Sequence, residues 1–245
     1  MSRSQPFPNP LADPHQRAEQ AAELLERYGK GERVFKAVAL GDIDWAGVTL
    51  AFAKMPQADL QGASLPYADL SRIDWSEAEL SFANLTGSNL RGAILKAANL
   101  NQAHLPFSKL LGAYLVGASL IRTDLVGANL MAANLSGAQM QEANLTQANL
   151  RGANLQGCFL RRANFSQASL SQANLRGSDL MACNLIAANL QEANLREANL
   201  REANLRGCNL RGSNLREARL REAYYDDTTL FPLGFDPIKR GLRCR

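Results

Sequence analysis

The sequence has little of what catalysis, membranes or extracellular scaffolds require. It holds two histidines and four cysteines in 245 residues, and its aromatic fraction is 7%. No apolar run approaches the roughly 18–20 residues of a membrane-spanning helix. Met1 to Gln20 contain no apolar stretch of the kind a secretory leader carries. The cysteines lack the density of a disulfide framework. A net charge of +4 and a pI near 9.0 are too mild to mark a nucleic-acid-binding domain. G-x-x-x-x-G-K-[ST], H-E-x-x-H and G-x-S-x-G are all missing. A secreted mini-protein and a helical membrane protein are excluded. So is a disordered chain, because 46% of the residues are hydrophobic.

What the sequence does contain is a repeat. Every fifth residue from Leu40 to Leu230 is large and apolar, and 33 of these 39 centres are leucine. The others are Trp45, Met55, Trp75, Met140, Phe165 and Tyr225, and Phe35 fits one step earlier. Two residues before each centre, from Val38 to Thr228, the residue is alanine 26 times in 39 and is never charged. Asparagine commonly stands between the two, as at Asn129, Asn134, Asn144, Asn149 and Asn154.

A period of five matches neither the 3.6 of an α-helix nor the 2.0 of a long strand. Two inward residues at a spacing of two make one short extended step, and the other three residues must turn the chain. Within the repeats, every glycine from Gly47 to Gly212 lies two residues after a centre. Pro56, Pro66 and Pro106 each lie one residue after. Proline then glycine is the preference of the central pair of a type II β-turn. The chain is therefore expected to turn a corner every five residues and to bury its leucines by stacking coil on coil.

Units such as Ala128-Asn129-Leu130, Ala143-Asn144-Leu145 and Ala198-Asn199-Leu200, each followed by two variable residues, resemble the A-(D/N)-L-x-x unit of pentapeptide repeat proteins. The resemblance covers residues 35–230. It implies an all-β fold: a right-handed quadrilateral β-helix with four pentapeptides per coil. Forty units then make about ten coils, a rod of about 48 Å at ~4.8 Å per coil. The periodicity itself shows only the five.

Three segments are expected: an arm and capping helix (1–34), the β-helix (35–230) and a closing tail (231–245). Residues 1–12 read as a mobile arm. Asp13 and Pro14 suit the N-cap and first turn of a short helix over about 14–28. Ala18, Ala21, Ala22, Leu25 and Tyr28 form its apolar stripe, and Gly29 suits its end. The segments around Leu24–Phe35 and Asp226–Pro237 resemble the entry and closing segments of cyanobacterial members of the family. Capping both ends is physically required, because an open coil exposes unpaired backbone groups.

No catalytic residue, cofactor or metal site is expected. His104 replaces an outward asparagine. Cys158, Cys183 and Cys208 occupy the small inward series and read as packing residues. Unpaired thiols suit a reducing, cytoplasmic location. Asp59, Asp69 and Asp74 read as turn and ladder residues rather than acid–base pairs.

Function is then expected on the surface. Leu111, Val116, Ile121, Val126 and Met131, the residues after five successive centres, are apolar, and Tyr114 lies among them. They are the first candidate partner surface, against tolerated turn variation. Arg196, Arg201, Arg206, Arg211, Arg216 and Arg221 are the second, against a girdle compensated by neighbouring glutamates. Residues 40–149 carry a net −3 and residues 150–245 a net +6. The expected role is a non-enzymatic scaffold, a rigid rod presenting a fixed surface to a protein partner. A homodimer through a coil end is compatible with it, while nucleic-acid binding and membrane insertion are not expected. The alternative is a gyrase-type modulator that mimics DNA, as the resemblance to quinolone-resistance members suggests. The basic charge and unbroken repeats disfavour it, since mimicry needs an acidic rod.

Overall fold

The computed structural model describes residues 13–245; the expected arm at 1–12 lies outside them. Parallel bridges join each step to the step twenty residues on, as in Ala39 to Asp59 and Asp59 to Glu79. One coil therefore takes twenty residues and four turns. Four columns of middle residues face outward. Face 1 carries Val34 through Tyr114 to Asn214, face 2 Ala39 to Arg219, face 3 Asp44 to Tyr224, and face 4 Thr49 to Asn209.

The unit A-N-L-x-x follows from where its five backbone N–H groups go. The small inward residue donates across the turn, as Ala63 does to the Leu60 carbonyl at 3.0 Å. The middle residue donates to the preceding coil, as Asp59 does to Val38 at 2.9 Å. The centre and the third turn residue donate to the following coil, as Leu40 does to Asp59 and Asp42 to Gln61, each at 2.8 Å. The fifth N–H, on the residue after the centre, has no backbone partner. The side chain of a middle Asn or Asp accepts it, as Asn134 does from Ser136 at 3.2 Å. Asp59, Asp69 and Asp74 do the same for Gln61, Ser71 and Ser76. Pro56, Pro66 and Pro106 follow Lys54, Ser64 and His104, middle residues without such an acceptor; proline simply removes the donor.

Every turn from Ala37 to Glu222 has a positive φ at its third residue, and 25 of these 38 residues are not glycine, with φ between 53° and 67°. Left-handed backbone costs an L-residue about 1 kcal/mol. At all of the non-glycine positions but Ala37 and Glu217, the N–H bond of that residue to the following chain segment holds it there.

The interior is filled by leucine columns that are 0% exposed along most of the rod. Several polar residues enter the small series by bonding a leucine carbonyl one coil back, while Ser108 donates to Leu105 across its own turn and the Ser213 hydroxyl has no partner among the described residues. Ser88, Thr123 and Ser178 donate their hydroxyls to the carbonyls of Leu65, Leu100 and Leu155 at 2.6–2.8 Å.

Helix α1, Pro14–Gly29, closes the first coil. Asp13 caps it, accepting from the His15 N–H. Its inner stripe differs from the expected one: Ala21 and Leu24 are buried, while Ala18 and Ala22 are exposed. The helix is rotated so that its polar residues reach the coil edge. Gln20 accepts the Ala39 N–H at 3.1 Å and donates to Ala37, and Arg17 donates to the Gly41 carbonyl at 2.6 Å. Lys30 rather than Gly29 is the C-cap, and Gly31 takes the positive φ of 98°.

At the other end the expected register slips by one. Asn209 pairs with Leu230 and not with residue 229. Thr229 is buried, whereas Thr228 and Leu230 are exposed, so the last position of each series is corrected. The cause is Asp226, whose carboxylate accepts the N–H groups of Gly207 and Thr228 and the hydroxyls of Thr228 and Thr229. Strand β1, Tyr224–Tyr225, then pairs in parallel with β2, Arg243–Cys244. Tyr225, Phe231 and Phe235 pack together, and Arg240 donates to the open carbonyls of Leu215 and Ala218.

Candidate functional site

Chemically reactive groups are few and lie apart. Cys158, Cys183 and Cys208 fall on faces 2, 3 and 4, each one coil and one side beyond the last. Their thiols donate to the carbonyls of Leu135, Leu160 and Leu185. Burial pushes the thiols of Cys158 and Cys208 up to about 12 and raises that of Cys183 as well, so all three stay protonated. His104 is exposed on face 3. The described residues include no metal-sized group of three His, Cys, Asp or Glu side chains, and no helix long and apolar enough to cross a membrane. A surface hollow of about 390 Å³ between faces 2 and 3 is lined by Arg161, Arg162, Glu142 and Glu202, among others. Two of these four charges are paired, Glu142 with Arg122 at 2.8 Å and Arg161 with Asp179 at 2.5 Å.

The six arginines of the second candidate surface circle the rod. Arg196 and Arg216 share the corner between faces 1 and 2, Arg201 and Arg221 the next, and Arg206 and Arg211 stand one on each remaining corner. The arginines of the first corner are all engaged by glutamates. Arg196 contacts Glu197 and Glu217, Arg216 contacts Glu217, and Arg176 contacts Glu197. These arginines hold the Glu197 carboxyl below the usual carboxylate range.

The apolar candidates divide. Leu111, Tyr114 and Val116 lie on one step of face 1 and its two corners. Met131 lies directly below Leu111, its carbonyl accepting from Gly112. Ile121 and Val126 turn away onto the other two corners. The structure adds Ile94, which bridges to Tyr114 and was not singled out by the sequence. Ile94, Tyr114 and Met131 are 38%, 53% and 36% exposed, with Leu111 and Val116 half-buried beside them. Adding twenty to Ile94 is the signal that would have found it, and that requires the coil length.

Below this patch, face 1 changes character. Asn154 donates to Asn134, Asn174 to Asn154 and Asn194 to Asn174, at 3.1–3.2 Å, forming a continuous amide ladder. The patch is where isoleucine and tyrosine take the ladder's place.

A coil of four five-residue steps, stacked through parallel bridges around a leucine core, defines a solenoid of the β-helix class. The pentapeptide repeats model matches in eight copies over residues 46–74, 76–106, 108–147, 143–181 and 183–222, and the chain belongs to that family. Among solved structures it is similar to HetL, a pentapeptide repeat protein involved in heterocyst differentiation regulation from the cyanobacterium Nostoc sp. strain PCC 7120. That similarity has 35% identity and a TM-score of 0.54, over 82% of this chain and 93% of HetL. It is also similar to alr5209 of Nostoc PCC 7120, with 36% identity over 50% of this chain and 84% of that one and a TM-score of 0.37. QnrB1, a plasmid-mediated fluoroquinolone resistance protein, aligns over 86% of this chain and 92% of its own, with 20% identity and a TM-score of 0.43. No curated protein sequence matches the chain.

Proposed function

We propose that the chain is a non-enzymatic interaction scaffold: a right-handed rod of about ten coils that presents a fixed surface to a protein partner in the cytoplasm. One observation carries this reading. The interior is packed leucine with protonated, hydrogen-bonded thiols, so the chemistry that varies is on the outside, and there an apolar patch stands between the polar residues Asp74 and Asn134 of face 1. Apolar patches of this kind on a soluble surface mark interaction sites. The candidates are Leu111, Tyr114, Val116, Ile121, Val126 and Met131. The arginines from Arg196 to Arg221 are the second surface, weakened by their glutamate partners.

The test is partner capture from an extract of the source organism, comparing the full chain with Val116→Lys/Ile121→Lys. Both side chains point away from the core, so folding should be retained. Capture lost in the folded variant supports the band; unchanged capture moves attention to Arg201, Arg206 and Arg211. A parallel supercoiling assay addresses the DNA-mimic alternative, which requires salt-sensitive gyrase inhibition indifferent to these substitutions.

A further inference from the structure

We propose that face 1 between Arg91 and Arg151 is a docking site for an amphipathic, acidic α-helix of a partner protein; this rests on the scaffold reading and names its partner's chemistry. Tyr114 and Ile94 form the centre of the site, with Leu111 and Met131 on one corner and Val116 on the other. The rims are low: a side chain added at Gly112, Gly117 or Gly137 would meet nothing within 4 Å.

The electrostatics of the rim select the sign of the partner. Arg91 lies directly above Leu111, Lys96 above Val116, and Arg151 below Met131, as the bonds from Gly92, Ala97 and Ala132 establish. All three are exposed, and none forms an ion pair among the described residues, unlike Arg176, Arg196 and Arg216 farther along. The neighbouring carboxylates already have donors: Asp74 on this face accepts the N–H and hydroxyl of Ser76, and Glu77, on the corner beside Lys96, accepts from the Gln57 amide at 2.9 Å. The patch also forgoes its own acceptors. Ile94, Lys109 and Tyr114 stand where Asn or Asp would accept the fifth N–H, leaving those of Lys96, Leu111 and Val116 without a partner among the described residues. Three unpaired cations and three free donors around an apolar centre suit carboxylate oxygens flanking apolar side chains.

The backbone selects the partner's conformation. The main-chain groups of face 1 point up and down the coil and are bonded there, so no lateral strand edge is open to β-addition. A segment lying on the apolar centre must satisfy its own backbone, which a helix does. Arg91 to Arg151 spans three coil steps, about 14 Å, and a helix of about ten residues covers that length.

The test uses the full chain and three probes: a helical peptide of about 18 residues with a leucine stripe flanked by glutamates, the same peptide with lysines for glutamates, and phosphatidylglycerol vesicles. Ile94→Asn/Tyr114→Asn introduces the residue that the same face carries from Asn134 to Asn214, so it should fold. The glutamate peptide is expected to bind at least about tenfold more tightly than the lysine peptide, and the double variant to lose about tenfold or more. Arg91→Gln/Lys96→Gln should weaken binding severalfold at low salt and little at high salt. Equal binding of the two peptides, absence of glutamate-peptide binding, indifference to the double variant, or patch-dependent binding of vesicles alone would overturn the proposal. Partner capture separates the two readings. A folded double variant that still captures the natural partner removes this site only, whereas a wild-type rod that captures no protein removes the scaffold reading.

Discussion

On face 1 the same backbone carries two surfaces. From Asn134 to Asn194 each amide side chain bonds its neighbour one coil away and also caps a turn; Asn154, for instance, accepts from both Gln156 and Asn174. From Ile94 to Tyr114 these bonds are absent and apolar side chains face water. The ladder is explained by folding alone. The patch is not, because it replaces stabilising hydrogen bonds with exposed apolar area. A region that gives up stability its neighbours retain is where selection for a partner is expected.

That comparison can be broken or sharpened by substitution. The largest effect is expected inside the rod, where both regions rest on the same core. Ala148 is 1% exposed, and Ala148→Arg places an unpaired charge in the stack. A loss of about 3 kcal/mol or more, or failure to fold, is expected in urea titration. In the ladder, Asn154→Leu removes three hydrogen bonds and should cost about 1–2 kcal/mol. Little or no loss would mean the ladder is decoration and the contrast with the patch empty.

The C-terminal slip gives a pH-dependent effect. Its N–H and hydroxyl donors hold the Asp226 carboxyl at about 2, against roughly 4 in an unfolded chain. A depressed folded value means that the stabilisation is fully present above the unfolded value and lost as pH falls through the folded one. Asp226→Asn should therefore lower the urea midpoint at pH 7, with the gap to wild type closing between pH ~4 and ~2. A gap constant with pH would show that charge is not what holds the slip. The smallest effect is expected at the patch rim. Arg151→Ala, an exposed turn position, should change stability by less than ~0.5 kcal/mol.

Most of the fold is legible in the sequence because one rule is repeated forty times. Leucine centres, small partners and the confinement of glycine and proline to fixed turn positions specify the step without reference to any other step. What is not legible is the count of steps per coil, since Asn recurs in the middle position on every face and leaves no twenty-residue signature. Tyr114 could be placed outward from sequence, but its neighbour Ile94 could not, nor could the separation of Ile121 and Val126 from Leu111 and Val116. The slip at Asp226 was hidden for a related reason: Tyr225 and Leu230 keep the five-residue spacing, while side-chain acceptors decide the register. The inner face of α1 escaped the apolar pattern because Arg17 and Gln20 turn inward to bond the coil edge.

The central claim is that the ladder serves folding and the patch serves binding. Reciprocal exchange tests it most directly, by thermal unfolding of Ile94→Asn/Tyr114→Asn beside Asn154→Ile/Asn174→Tyr. The account expects the first melting temperature to stay at or above that of wild type and the second to fall by several degrees, at about 2–4 °C per kcal/mol. A fall in the first as large as in the second would contradict it, by showing that Ile94 and Tyr114 stabilise the rod as the asparagines do.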